Sequence, residues 1–124
     1  MTSHFFRQFL HLLFLLGFSL IAVVAGKVMA QPDGECQVPT SAYNTIQEAL
    51  TDPACATIVL AEGLFEENLV VDRTVTIEGS GADKSIVDGS LSGQVIHINP
   101  AVSVALADLT ITRGQSSFGG GIYN

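Results

Sequence analysis

Apolar residues fall along this chain in three rhythms. Leu12 to Ala25, LLFLLGFSLIAVVA, is a nearly unbroken apolar run. In YNTIQEALTDP the spacing becomes helical: Ile46, Ala49 and Leu50 share one face, Thr45 and Glu48 form a capping box, and Pro53 closes the segment. Two turns of helix are marginal alone, so this piece must lie against something. From Ala56 onward short β-rich runs take over: TIVL (Thr57–Leu60), NLVV (Asn68–Val71), TVTIEG (Thr74–Gly79) and SIVDG (Ser85–Gly89). QVIHI (Gln94–Ile98), VSVAL (Val102–Leu106), LTIT (Leu109–Thr112) and GIYN (Gly121–Asn124) follow, with Gly, Asn, Asp, Ser or Pro in most gaps.

Alternation within these runs separates inside from outside. Val75 and Ile77 point inward, Thr76 and Glu78 outward; Val102, Val104 and Leu106 alternate with Ser103 and Ala105 in the same way. The runs also echo one another. TVTIEGSG near Thr74 matches DLTITRGQ near Asp108, and SIVDG and GIYN fall at similar later points. A repeated strand-and-turn unit at this spacing predicts an all-β fold, a parallel β-helix in which each coil buries its inner face on its neighbours. The alternative is a small antiparallel sandwich or barrel. That fold leans on tight hairpin turns, and Asp88–Gly89 is the lone candidate for one.

The long apolar run changes how the first thirty residues are read. Arg7 and His4 precede it without an acid, and GKVMAQ follows, with Val28 and Ala30 as the small residues of a cleavage site before Gln31. That is the layout of a secretory signal peptide over residues 1–30. An uncleaved anchor is the alternative, but the run is short against the roughly 20 residues a span needs. The remainder keeps three basic residues, Arg73, Lys84 and Arg113, and all twelve acids, a net charge of −9. Such a surface repels phosphate backbones and anionic lipid, so neither nucleic acid nor membrane is expected as a partner after cleavage. Both cysteines, Cys36 and Cys55, lie beyond the cleavage point, and an even count in an exported chain predicts one disulfide. Residues 31–55 then form an amino-terminal arm and capping helix, and residues 56–124 the coils.

Several of these stretches, taken together, resemble a known family. YNTIQEAL, ATIVLAEGLFEENLVVDRTVTIEGSG, SIVDG and LTITRG followed by GGGIYN are similar to the opening coils of right-handed parallel β-helix proteins of the pectin lyase-like fold. In that family a T-I-Q-x-A line opens with the capping helix. A T-I-x-V-x-x-G-x-Y-x-E-N-x-x-I stretch then builds the first rung. Gly63, Phe65, Glu67 and Asn68 fill the corresponding places, with Phe65 where the family has Tyr. The resemblance runs from Tyr43 to Asn124 and implies fold far more specifically than activity. FEEN and GGGIYN are also similar to the repeats of polymorphic outer-membrane proteins and related secreted β-helix proteins. In such relatives many coils follow this segment, so the resemblance implies an amino-terminal fragment of a longer protein.

Candidate chemistry is sparse. Glu62, Glu66 and Glu67 cluster near the first rung, and Asp72, Glu78, Asp83 and Asp88 follow at intervals. Paired carboxylates could serve glycoside hydrolysis or hold Ca²⁺, but a solvated outer face accounts for all of them. GSGADKS, Gly79 to Ser85, lacks the glycine before lysine that a phosphate loop needs, and reads as a turn between rungs. His97 alternates with Ile96 and Ile98 and should face outward, without a nucleophile or acid in any identifiable motif. No catalytic residue, metal ligand or cofactor is assigned, and the only specific pairing expected is Cys36 with Cys55. The resulting expectation is a secreted or cell-surface, non-enzymatic β-helix segment, structural or adhesive, with polysaccharide or surface proteins as partners. The alternative is the amino-terminal part of a pectin lyase- or pectinesterase-like enzyme whose active site lies on later coils.

Overall fold

The computed structural model of the chain describes Gly34–Asn124. The export signal read in residues 1–30, and the first residues of the arm, lie outside the described residues. Ten strands and one short helix follow in order: β1 (Glu35–Val38), α1 (Ile46–Thr51), β2 (Thr57–Leu60), β3 (Gly63–Glu66), β4 (Leu69–Val71) and β5 (Val75–Glu78). Then come β6 (Ser85–Asp88), β7 (Ile96–Ile98), β8 (Val104–Ala107), β9 (Thr110–Thr112) and β10 (Ile122–Tyr123).

The strands form three sheets, and every pairing between them is parallel. The first sheet has the order β1-β2-β5-β8, the second β3-β6-β9, and the third β10-β7-β4. From β2 onward, successive strands enter the first, second and third sheets in rotation. From β2 onward no strand therefore pairs with the next in sequence, and β1 pairs with β2 only after the chain has passed through α1. Parallel pairing requires this, because the chain must travel away and return before it can lie beside itself in the same direction.

Register carries like side chains over like. Ile58, Ile77 and Leu106 align in the first sheet, Phe65, Val87 and Ile111 in the second, and Leu69, Ile96 and Ile122 in the third. Apart from Ile122, these columns, with Cys55, Leu60, Val71, Val75 and Val95, make one continuous core, with Leu106 and Ile111 packed against its buried part. Val75 and Ile77 are buried and Glu78 exposed, as alternation predicts. Burial fades along the chain: Ile58 and Ile77 are at most 1% exposed, Leu106 and Ile111 are half-buried, and Ile122 is 44% exposed.

Two sequence-based matches shift by one strand. The V-T-I and L-T-I echoes do not stack: β5 pairs with β8, so Thr76 aligns with Ala105, while Thr110 aligns with Ile86 in the second sheet. GIYN lies beside VIHI rather than SIVDG. The arm also holds more order than its Pro- and Gly-rich composition predicts. Cys36 and Val38 face the core from β1, which extends the first sheet beside β2. Gly63–Glu66, expected only as part of a rung motif, is the strand β3.

Backbone closeness explains the glycines that recur at the turns. Gly79 passes so near the Asp108 carbonyl of the next turn that a Cβ could not fit, and Gly114 abuts Gly120 in the same manner. Gly120 and Gly121 offer their carbonyls to the Val95 amide at 3.1 Å, and Gly121 also accepts from Ile96 at 3.0 Å. The terminal glycine run is therefore a stacking element, packed on the turn before β7.

Helix α1 packs on β1, β2 and β4, with Ile46, Ala49 and Leu50 buried against the core. The capping box at Thr45 and Glu48 forms as read. Three longer-range attachments fix the helix in place. Glu67 accepts from the Ile46 and Gln47 amides at 2.9 and 3.1 Å, so a carboxylate sits at the positive end of the helix. Arg73 donates to the Leu50 and Ala49 carbonyls at 2.8 and 3.1 Å, which satisfies the other end. Between them, the Gln47 amide accepts from the Val70 N–H and donates to the Val70 carbonyl. On the outer edge of β4 it replaces the neighbouring strand that this edge lacks.

Cys36 and Cys55 form a disulfide, with their Cα atoms 5.3 Å apart, tying β1 to the segment after α1. Nearby, the Tyr43 hydroxyl donates to Asp52 at 2.5 Å. That bond raises the Tyr43 pKa above its ordinary 10.0 and, with the Ala54 amide, lowers Asp52 below 3.8.

Candidate binding groove

The acids expected on a solvated face divide into two groups. Glu62, Glu66, Asp72, Glu78 and Asp83 are exposed, as read. Glu67 and Asp88 are not simple surface charges. Glu67 holds α1, as described. Asp88 is 4% exposed, accepts from the Ser90 amide at 2.7 Å, and pairs with the Arg113 guanidinium at 3.3 Å. A buried carboxylate needs such partners, and Asp88 uses its two oxygens to hold the turn after β6 against the turn after β9. GSGADKS is a turn between β5 and β6, where the Ser85 hydroxyl donates to the Ala61 carbonyl and accepts from the Ser80 amide. Among the described residues, no group of three or more His, Cys, Asp or Glu is placed to hold a metal ion. No helix among them is long and apolar enough to cross a membrane.

His97 faces outward from β7, between the buried Ile96 and Ile98. It is not solitary. Its register partner Tyr123 on β10 stacks on the imidazole, with ring centroids 5.1 Å apart and planes 20° from parallel. Its Nδ1 lies 3.0 Å from Gln94 Oε1. The Gln94 amide is oriented from its other end, where Nε2 donates to the Phe118 carbonyl at 3.4 Å. The carbonyl acceptor places nitrogen on that side and leaves the oxygen for the imidazole, so Nδ1 carries the proton.

On the β4 side of His97 runs an open groove of about 440 Å³. Asn68, Val70, Ser92, Gln94, His97 and Asn99 line it, with no carboxylate, lysine or arginine among the lining residues. Asn68 is fixed at the lip by donating to the Gln94 carbonyl at 2.9 Å and to the Gly89 carbonyl at 3.3 Å. Val70 is 49% exposed and adjoins His97 in register, giving the floor an apolar strip beside the ring. The arrangement suits hydrogen bonding and stacking with an uncharged molecule. The sequence concealed it because its parts are far apart along the chain. The signal was the match between Ile96–His97 and Ile122–Tyr123, two aliphatic–aromatic pairs one circuit apart.

Comparison with protein-family models, curated proteins and solved structures finds no match to this chain.

Proposed function

We propose that this chain is a right-handed parallel β-helix of the pectin lyase-like kind, the amino-terminal end of an exported, non-enzymatic scaffold. Its working principle is shape: a stiff stack of short strands holds polar outer faces toward glycans or other surface proteins. The observation that carries this reading is the rotation of nine consecutive strands through three parallel sheets, with inward residues in register. A chain that always advances from one sheet to the next in the same sense winds into a solenoid, and crossovers between parallel strands are right-handed in nearly all proteins.

The amino end is closed by α1, which Glu67, Gln47 and Arg73 bind to the stack, and by the Cys36–Cys55 bridge. A disulfide is compatible with an extracellular location, and the signal-like segment over residues 1–30 agrees with it. Non-enzymatic action is favoured by what Glu67 and Asp88 do, since both carboxylates are engaged in holding the fold. Polygalacturonate and Ca²⁺, incubated with the chain expressed from Met1 and recovered outside the cytoplasm, test the proposal. The expected product begins at Gln31, carries the disulfide and leaves the polymer intact. Unsaturated chain ends would overturn the non-enzymatic reading, and a product retained in the cytoplasm with free thiols would overturn export.

A further inference from the structure

We propose that the groove beside His97 binds an uncharged glycan, with the imidazole as the stacking surface for one sugar ring. The inference rests on the outer faces of the stack being contact surfaces, and it names both the face and the ligand class.

Geometry puts the imidazole between two neighbours. β7 lies between β10 and β4, so Tyr123 covers the ring from one side and the groove opens on the other, toward Val70. An exposed histidine ordinarily samples several rotamers. This one is backed by an aromatic ring and tied at Nδ1 to Gln94, itself fixed to the Phe118 carbonyl. Such pre-ordering lowers the entropic cost of binding at this ring. Val70 continues the apolar strip, and the C–H face of a pyranose has the shape and polarity to lie across both. Sugar hydroxyls both donate and accept, as do the side-chain amides and hydroxyl that rim the groove. Among the described residues, no hydrogen bond engages His97 Nε2 or the Asn99 side-chain amide, which leaves them for a ligand.

Charge selects among glycans. The lining has no formal positive group to recognise a uronate and no carboxylate to recognise an amine, while the chain as a whole carries −7. An anionic polymer meets repulsion with nothing local to offset it. The volume falls within the range of about 300–1,000 Å³ typical of small-ligand sites.

The test is a titration of the isotope-labelled, disulfide-bonded chain, followed by NMR, with cellohexaose, mannohexaose, laminarihexaose, fully N-acetylated chitohexaose and polygalacturonate. Saturable shifts are expected with at least one neutral hexasaccharide, centred on Gln94, His97 and Asn99 and absent from Glu78 on the first sheet. His97→Ala should weaken that binding about three- to tenfold, the worth of one aromatic contact. His97→Phe, which keeps a ring face but loses the Gln94 tie and Nε2, should bind more tightly than His97→Ala and more weakly than the parent chain. Polygalacturonate should produce no saturable shift. Silence with all four neutral sugars, or tighter binding of polygalacturonate, would overturn the proposal. Saturable neutral-sugar binding that ignores His97→Ala would overturn the groove but leave the scaffold reading standing, whereas cleavage of any polymer would overturn the scaffold reading itself.

Discussion

Glu67 is the residue through which the stack grips its capping helix, so Glu67→Ala is the sharpest perturbation of that end. The carboxylate accepts two backbone amides at the first turn of α1, from residues 20 and 21 positions away. Hydrogen bonds to a charged group contribute roughly 1.5–3 kcal/mol each when intact, and a capping side chain removed from a helix start costs about 1 kcal/mol. Glu67 is half-buried, and water can reach part of the orphaned turn, so the pair together should be worth about 2–3 kcal/mol. For a domain of this size that corresponds to a fall in Tm of roughly 10–20 °C. Glu67→Gln keeps one acceptor but turns an NH₂ group toward an amide donor, and should lose about half as much. Urea and thermal unfolding followed by far-ultraviolet circular dichroism reads both, with Glu66→Ala as the exposed neighbouring control. Equal stability of the Glu67→Ala and Glu66→Ala chains would refute the claim that α1 is anchored by this carboxylate.

Other perturbations probe other parts of the fold. Cys36→Ser opens a loop with a sequence separation of 19 and should cost about 3 kcal/mol by the chain-entropy argument; unchanged melting would exclude the bridge in solution. Ile77→Asp places a charge where the side chain is 1% exposed and should abolish folding, while Thr76→Asp on the outer side is tolerated; equal soluble yields would contradict the inward–outward assignment. The Tyr43–Asp52 bond gives two opposite pH signatures. The folded state depresses Asp52, so its contribution is complete above pH 3.8 and is lost as pH falls through the lowered value. The folded state raises Tyr43, so its contribution is complete below pH 10.0 and is lost as pH rises through the raised value. In a Tyr123→Phe background, tyrosinate absorbance should titrate above 10.0 and move back toward it in Asp52→Asn; no movement would show that Asp52 is not the cause.

Local chemistry made some features legible in the sequence. The capping box of α1 needs only Thr45 and Glu48, and the inward set of β5 needs only alternation, so both were readable within a few residues. The disulfide followed from two cysteines beyond a signal-like segment. Features set by the next circuit of the chain were not readable in this way. β1 is ECQV in a Pro- and Gly-rich setting, and it is a strand because β2 supplies hydrogen-bond partners to a segment with little β propensity. Asp88 reads as one more surface acid until Arg113, 25 residues later, comes to lie against it. The echo between TVTIEG and LTIT misled for a physical reason. Every inward strand of a stack uses the same aliphatic and threonine alphabet, so similarity marks the role of a strand without naming its sheet. The groove beside His97 assembles residues from two circuits, with Tyr123 added from a third.

The rest of the structure depends on successive strands rotating through three parallel sheets. Methyl-to-methyl and Hα-to-amide nuclear Overhauser contacts on the disulfide-bonded chain test it most directly. Contacts are expected from Ile58 to Ile77 and from Ile77 to Leu106, with Val87 linked to both Phe65 and Ile111. Strong Hα–Hα contacts between sequential strands, such as β5 with β6, would mean antiparallel hairpins and would contradict that rotation.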